Sequence, residues 1–324
     1  MARYVVRRTL QAIPLLIGIS GLVFLMLQMT PGGPLAVSES AGASGRVTAE
    51  DLQRLRDRYG LDDPLYVQYL NWAADLARGD WGTSFNTGRP VIEMIGDRLP
   101  TTLTLTGFAF LVTLLIAIPV GILAATKQYS SFDYLSTSIA FLGISVPSFW
   151  LGLMLLYVFT FTLGWLPSVG LTDPRQDHEG LAALWDRVRH LIMPVAVLAL
   201  ASTANLTRYL RAAMLDVVAQ DYVRTARAKG LSERIVIGVH ALKNSAIPIV
   251  TVLALELPDL FIGAVITESI FAISGMGRLF VESANLRDYP VLMGILMIAS
   301  VLVIVSNLVA DVVYGAIDPR ISYP

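Results

Sequence analysis

Residues Asp221–Thr251 read DYVRTARAKGLSERIVIGVHALKNSAIPIVT, a basic stretch that lies between two apolar runs. Its first half and the turn before it carry apolar residues at three- and four-residue spacing, which predicts one apolar face on a short helix. The residues on that face are Leu215, Val218, Tyr222 and Ala226. Arg227 and Lys229 stand in the last turn, where cations suit the negative end of the helix dipole. The sequence therefore predicts a helix that ends near residue 229.

A second helix is predicted directly after the first. Gly230 stands where a helix commonly ends with a residue of positive φ, a conformation that glycine adopts without strain. Ser232 is placed to cap a helix that runs through His240 towards Asn244. We call residues 221–244 the elbow. A stiff helical elbow with a polar, basic face, on a chain rich in apolar runs, is predicted to dock a partner.

The composition places the chain among membrane proteins. Of its 324 residues 55% are hydrophobic and 15% are charged, with a mean hydropathy of +0.63, whereas soluble domains average about 25% charged residues. The chain has no cysteine, which excludes disulfides, thiolate metal sites and a cysteine nucleophile. The net charge of −1 gives no indication of a nucleic-acid partner.

Six apolar runs predict an all-α integral membrane protein with six transmembrane helices, because the bilayer core needs about 17–25 residues. The runs are Leu10–Met29, Thr101–Thr126, Tyr134–Thr162, Leu191–Thr207, Ala246–Phe271 and Pro290–Tyr314. Pro147 is expected to break or tilt the third run.

An even number of spans predicts both termini on one side of the membrane. Short segments on the N-terminal side hold 12 basic residues and those opposite hold 5, so the positive-inside rule predicts cytoplasmic termini and a cytoplasmic coupling loop at 208–245. The predicted parts are a tail and first helix at 1–29, a small, mostly helical extracytoplasmic lobe at 30–100, and a five-helix core at 101–324.

Acidic residues in the fifth run are the candidates for a translocation path. Intramembrane carboxylates are costly and usually face a bundle interior or water. Glu256 and Asp259 are three residues apart, so one helix would place them on a shared face. They would line the path or form structural hydrogen bonds, and the sequence leaves both open. Glu268 is expected to be interfacial.

No catalytic site is predicted from the sequence. GxxxxGK[ST] and HExxH are absent, and His178, His190 and His240 are scattered, so neither an ATPase site nor a metal site is expected. Gly18-Ile19-Ser20-Gly21 matches the GxSG of intramembrane serine proteases, but close helix packing by small residues is the favoured interpretation.

The elbow also carries a family resemblance. YVRTARAKGLSER and HALKNSAIPIVT resemble the cytoplasmic signature loop of bacterial ABC importer permeases, most closely the dipeptide/oligopeptide/nickel branch. The general pattern is Glu-Ala-Ala, three residues, then Gly; Arg224, Thr225 and Ala226 fill the first three places here and Gly230 the last, so the Glu is replaced. Residues 61–64, 79–85, 98–102 and 272–289 also resemble that family.

The resemblance implies a function for the elbow and a set of partners. It assigns ATPase coupling to Tyr222, Arg224, Ala226, Arg227, Gly230 and Leu231, with Gly230 setting the elbow, Tyr222 and Ala226 packing it, and the two arginines contacting the partner. The implied partners are a homologous second permease, two ABC ATPase domains that bind ATP and Mg, an extracytoplasmic solute-binding protein and membrane lipid. No cofactor is expected in this chain, and the implied location is the bacterial inner membrane. Peptides are the implied cargo, with nickel or glutathione as weaker options.

Other functions compete with this hypothesis. An ion-coupled carrier or channel acting alone would use Glu256 and Asp259 for coupling, and a membrane hydrolase would use Ser20. A DNA-binding helix-turn-helix is disfavoured because the loop between spans leaves no room for a three-helix core. A basic juxtamembrane helix that binds anionic lipid headgroups is the more credible alternative.

Overall fold

The computed structural model describes residues 2–30, 50, 53, 56–57, 60–173, 175, 179–262 and 264–317. The predicted all-α class is confirmed, since this part of the chain forms helices and, apart from them, a single isolated antiparallel bridge between Thr83 and Pro90. The helices are α1 (Ala2–Gln28), α2 (Leu65–Ala77), α3 (Val91–Thr126), α4 (Ser131–Ser145), α5 (Ser148–Leu155), α6 (Gly180–Val218), α7 (Asp221–Ala228), α8 (Glu233–Ile235), α9 (Leu242–Glu256), α10 (Asp259–Ile262), α11 (Val265–Ile270), α12 (Met276–Asn285) and α13 (Tyr289–Ile317). Two π-helical segments, Leu156–Thr162 and Val236–Ala241, extend α5 and join α8 to α9.

The part of the chain that the structure describes confirms at most five of the six predicted membrane spans. Within the described ranges, α1, α3, α6 and α13 are long and apolar enough to cross a bilayer, and α4 with α5 and its π extension forms a fifth candidate bent by 96°. The predicted fifth run is instead divided among α9, α10 and α11. Pro258 lies in the first break, where it supplies no N–H to the preceding turn. Six continuous spans are therefore not confirmed.

The break between α4 and α5 was expected at Pro147. Val146 has extended backbone angles (φ −80°, ψ 120°), as the residue before a proline prefers, and Pro147 precedes the first turn of α5. The bend thus has a local steric cause.

The centre of the fold is the long contact between α3 and α6. Near the end of α6 that leads to α7, Leu206, Leu210 and Met214 are fully buried in one apolar cluster with residues of α3 and α9. A Cβ on Gly121 of α3 would lie only 3.0 Å from Leu210, so glycine permits the close approach there. The core therefore continues to the root of the elbow.

A buried ion pair ties α4 to the same part of α6. The Arg211 guanidinium donates to both carboxylate oxygens of Asp133 at 2.6 and 2.8 Å. The backbone N–H of Tyr129 donates to the same carboxylate at 3.0 Å. Asp133 is 2% exposed, and its charge depends on these donors because water does not reach it.

Glu268 is buried rather than interfacial. Its carboxylate accepts from the Thr102 hydroxyl at 2.9 Å and from the backbone N–H of Arg278, in the first turn of α12, at 2.9 Å. The Thr102 hydroxyl oxygen in turn accepts the Met276 N–H at 2.7 Å. The positive end of the α12 dipole stabilises the carboxylate, which explains how it can be buried.

The described part of the predicted 30–100 lobe packs on α1 and α13; residues 31–49 lie outside the described residues. The Tyr69 hydroxyl of α2 lies 2.9 Å from that of Ser20 on α1. The loop before α3 is held by the buried Asp288, which accepts from the Ser84 hydroxyl and from the Phe85 N–H. Hydrogen bonds therefore join this segment to α1 and to the residue that directly precedes α13.

We predict that Arg211→Ala destabilises the protein by about 3–5 kcal/mol, because it leaves the Asp133 carboxylate buried without its cation. Thermal unfolding of the purified protein in detergent measures the effect. Arg78→Ala is the matched control, since its pair with Asp75 is 74% and 53% exposed and contributes little. Equal unfolding temperatures for the two variants would contradict the prediction.

We predict that Gly275→Ala disrupts the Glu268 site. The added Cβ would lie 2.5 Å from both the Glu268 carboxyl carbon and the Thr102 hydroxyl oxygen, and overpacking of this kind costs about 1–3 kcal/mol. Gly96→Ala is the control, because its Cβ meets nothing within 4 Å. Unfolding temperatures in the same detergent provide the test, and an unchanged Gly275→Ala value would argue against a tight site.

Candidate functional site: the elbow

A two-residue turn separates α7 from the long helix α6. Ala219 closes α6, and Gln220 has extended backbone angles (φ −73°, ψ 151°) before α7 begins at Asp221. The chain therefore changes direction at 219–220, and the helical phase of α6 does not continue into α7.

The end of α7 is a Schellman turn. The Gly230 N–H donates to the Arg227 carbonyl at 2.9 Å, and the Leu231 N–H donates to the Ala226 carbonyl at 3.4 Å. Gly230 has φ +75°, which confirms the conformation that its place in the sequence predicted. An added Cβ would meet nothing within 4 Å, so the requirement for glycine is conformational rather than one of space.

One side of α7 is buried against the segment that follows the turn. Val223 and Val236 are fully buried and Ala226 is 5% exposed, in a cluster that also contacts Val217 of α6. This small apolar contact fixes the angle between α7, α6 and the helical segment leading to α9. The elbow is thus a packed unit rather than a loose loop.

The predicted packing role of Tyr222 is wrong. Its side chain is 43% exposed, and Val223 occupies the buried place beside Ala226. The prediction carried the spacing of Leu215 and Val218 across the turn at 219–220, where the helical phase is lost. The burial of Val223 can be predicted when α7 is considered separately from α6, because Val223 and Ala226 are three residues apart and share one face of the helix.

The two predicted arginines lie on the exposed side. Arg227 bonds to Glu233 of α8 at 2.8 Å, which braces the turn from outside. Arg224 lies 3.4 Å from Asp221 within α7. Exposed apolar side chains accompany them, and these are Tyr222, Leu231, Ile235 and Val239.

The start of the second helix differs in detail from the prediction. Ser232 has the extended angles of a cap (φ −62°, ψ 146°), but its side chain makes no capping hydrogen bond. The helical path continues through the π segment into α9 as far as Glu256, beyond the predicted end near Asn244. The elbow is therefore joined to Glu256 by a helical path without a break.

The candidate path residues Glu256 and Asp259 do not share one helix. Glu256 ends α9 and Asp259 begins α10, with Leu257 and Pro258 in the turn between. Glu256 lines a cavity of about 270 Å³ between α3, α6 and α9–α10. The side chain of Asp259 lies outside the described residues.

The other candidate chemistries find no support in the described part of the chain. Ser20 is 5% exposed, and its hydroxyl contacts the Tyr69 hydroxyl and the Ile17 carbonyl rather than a histidine. Among the described residues, no group of three or more His, Cys, Asp or Glu side chains lies close enough together to hold a metal ion.

Similar proteins identify the family of the chain. The family model described as "Binding-protein-dependent transport system inner membrane component" matches residues 117–323, and the model of the corresponding N-terminal part matches residues 1–106. Both models together cover nearly the whole sequence.

Full-length relatives and solved structures agree with this match. The chain is 44% identical to the oligopeptide transport system permease protein AppB of Bacillus subtilis (strain 168), 41% identical to the dipeptide transport system permease protein DppB of Alkalihalophilus pseudofirmus, and 39% identical to the glutathione transport system permease protein GsiC of Escherichia coli (strain K12), in each case over 100% of both chains. A solved structure titled as an inward-facing conformation of the MetNI methionine ABC transporter shares the fold, with a TM-score of 0.55 and 16% identity over 70% of this chain and 97% of that one. The protein is therefore a multi-pass inner-membrane permease of the ABC importer type, and it belongs to the family of inner membrane components of binding-protein-dependent transport systems.

Proposed function

We propose that this permease takes up peptides. It forms the pathway with a homologous second permease, receives cargo from an extracytoplasmic solute-binding protein, and is driven by two ATPase domains docked on its cytoplasmic side. The relatives named for oligopeptide, dipeptide and glutathione transport support peptide cargo. Family membership also favours an ATP-driven importer over an ion-coupled carrier that would use Glu256 and Asp259.

The observation that carries the proposal is the exposed face of a rigidly packed elbow. Val223, Ala226 and Val236 fix α7, while Tyr222 and Leu231 are 43% and 38% exposed and the Arg224 side chain is exposed as well. Aromatic residues and arginine contribute most of the binding energy at protein interfaces. This face is therefore suited to a protein partner rather than to lipid headgroups alone.

ATP and Mg would be bound by the partner subunits, because the sequence contains no GxxxxGK[ST] of its own. ATP binding would close the ATPase dimer and displace α7. The buried contact with Val217 and Val236 would pass that displacement to α6 and α9. Alternating access then follows as a two-state change that nucleotide biases.

This mechanism requires the elbow to lie in the cytoplasm. The excess of basic residues on the side of the elbow and termini supports that orientation. Labelling of a single cysteine placed at Lys229 in intact cells tests it, because the natural chain has no cysteine. Labelling by a membrane-impermeant reagent without cell lysis would refute the proposed mechanism.

We predict that Gly230→Val abolishes ATP-driven peptide uptake while the protein still inserts in the membrane. A β-branched residue resists φ +75°, so the Schellman turn opens and α7 loses its fixed angle. Gly96→Val is the matched control, because a Cβ there also meets nothing within 4 Å, its φ is not in the left-handed region, and it lies in α3 outside the elbow. Uptake into proteoliposomes that contain the full complex measures both variants, and normal uptake by Gly230→Val would remove the coupling mechanism.

We predict that Tyr222→Ala weakens binding of the ATPase subunits about 30-fold, as expected for an aromatic residue worth about 2 kcal/mol at an interface. Tyr66→Ala is the control, since Tyr66 is 69% exposed on α2, away from the elbow. Titration of ATPase subunits onto the permease pair in nanodiscs gives both affinities. Equal affinities for the two variants would place the docking surface elsewhere.

A further inference from the structure

An open cavity of about 220 Å³ lies where the N-terminal half of α3 meets the loop between α11 and α12. Its lining residues are Arg89, Met94, Asp97, Arg98, Thr101 and Ser274. The bonds of Glu268 tie this part of α3 to α11 and α12. The two walls of the cavity are therefore held in place relative to each other, although they are distant in sequence.

The guanidinium of Arg98 has no partner within the protein. In the part of the chain that the structure describes, Arg98 forms neither a hydrogen bond nor an ion pair, and the residue is half-buried. The other guanidinium of the lining, that of Arg89, is bound to Asp97 at 2.8 Å. Partial burial removes water from a charged group, which favours an anionic partner. The cavity therefore contains one cation that is available to a ligand.

The nearby carboxylates do not fill this role. Asp97 is bound to Arg89, and the exposed Glu93 also acts electrostatically on Arg89. Glu268 is fully buried, and its oxygens accept from neutral donors of α3 and α12. These three charges reduce the positive potential of the region, but none of them supplies an acceptor to Arg98 in the described structure.

Two hydroxyl groups complete the set of donors in the cavity. The side chains of Thr101 and Ser274 line it, and neither hydroxyl makes a hydrogen bond to any residue that the structure describes. Each can donate one hydrogen, and a guanidinium donates only. Thr101 follows Arg98 by three residues, so one face of α3 carries both. A carboxylate accepts from a guanidinium through two oxygens and from hydroxyls as well, so it matches these donors.

The cavity lies at the face of the membrane opposite the elbow. Ala125, near the other end of α3, packs with Met214 at the root of the elbow. Arg98 precedes Ala125 by 27 residues, which corresponds to about 40 Å along the helix. A bilayer with its headgroups is about 40–45 Å thick. With the elbow in the cytoplasm, the cavity therefore opens on the extracytoplasmic side.

We propose that this cavity binds the carboxyl-terminal carboxylate of the cargo peptide as the peptide enters from outside. Arg98 forms the ion pair, and the hydroxyls of Thr101 and Ser274 donate to the same carboxylate. A linear peptide carries this group whatever its side chains are, so recognition here suits a carrier of varied peptides. About 220 Å³ holds the last residue of a peptide rather than the whole of it. This inference rests on the proposed peptide-uptake function.

Protection of a single cysteine by the ligand tests the site, because the natural chain has no cysteine. Met94→Cys places one thiol on the cavity wall and leaves Arg98 and both hydroxyls unchanged. The complete complex, with cysteine-free partner subunits, is placed in nanodiscs without ATP and without the solute-binding protein. The rate of labelling by an uncharged maleimide is measured against trialanine and against trialanine amide, which lacks the carboxylate. Trialanine is expected to protect the thiol at concentrations at least about tenfold lower than the amide.

Substitutions at Arg98 assign this preference to its guanidinium. Arg98→Gln is expected to remove the difference between trialanine and its amide. Arg98→Lys keeps the charge but loses the planar pair of donors, so it is expected to retain part of the preference. Arg187→Gln is the matched control, because it removes an exposed arginine of α6 that does not line the cavity, and the preference is expected to stay the same. The labelling rate without peptide shows whether each variant keeps the shape of the cavity.

Three results would overturn the proposal. They are equal protection by trialanine and its amide, a preference that Arg98→Gln leaves unchanged, and no protection by trialanine at any concentration that dissolves. Because the solute-binding protein is absent, protection cannot come from a carboxylate of that protein. If Arg98→Gln weakens binding of the solute-binding protein and leaves protection by trialanine unchanged, the site belongs to that protein and not to the cargo.

A separate measurement distinguishes failure of the site from failure of the proposed function. ATP-driven uptake of trialanine is followed in proteoliposomes that contain the same complex and the solute-binding protein. Uptake by a wild-type complex whose thiol trialanine does not protect would reject the site and leave the proposed function standing. Protection without any uptake of peptide would reject the proposed function, while the carboxylate site would stand.

Discussion

The architecture depends on the left-handed backbone conformation at Gly230. That residue allows α7 to end within one turn, so that Val236 can fold back onto Val223 and Ala226. The two helical segments that meet there are short, so few side chains pack between them. The turn at Gly230, rather than a large buried area, therefore sets the geometry of the cluster. Arg227 and Glu233 bridge the same turn on the outside. A mobile loop with the same residues would present the same chemistry but would not transmit a displacement.

The apolar runs allowed much of the fold to be predicted from the sequence, and the errors have local causes. Long uncharged segments predicted the all-α class and the main helices, and Pro147 predicted the bend between α4 and α5. Composition alone predicts one continuous helix for the fifth run, because the run is largely apolar, whereas the structure divides it among α9, α10 and α11. Hydropathy is insensitive to backbone breaks, and the effect of Pro258 depends on whether neighbouring groups replace the lost hydrogen bond. Whether they do so depends on the tertiary structure, which a hydropathy pattern does not contain.

In the candidate site, too, local features were predictable from the sequence and features set by tertiary contacts were not. Gly230 was predicted from turn chemistry, which is local, and its φ of +75° agrees. Tyr222 was assigned to the wrong side of α7, because the two-residue turn at 219–220 resets the helical phase in a way that spacing alone does not reveal. Glu268 was placed at the interface because a carboxylate near a predicted span end usually seeks water. Its partners are the Thr102 hydroxyl, which is distant in sequence, and the backbone N–H of Arg278 in the first turn of α12. Spacing in the sequence indicates neither of them.

The interlocked bonds around Glu268 also restrict where the chain can bend. They join the N-terminal half of α3 to α11 and α12, so these three helices form one fixed block. The elbow belongs to the opposite end of α9, through the unbroken helical path from Glu233 to Glu256. Any change in the relation between the two ends must then be absorbed in the few residues around Leu257–Pro258 and before Val265. The breaks that divide the fifth apolar run therefore lie between the block at Glu268 and the helical path from the elbow, and the cavity lined by Glu256 lies beside the first of them.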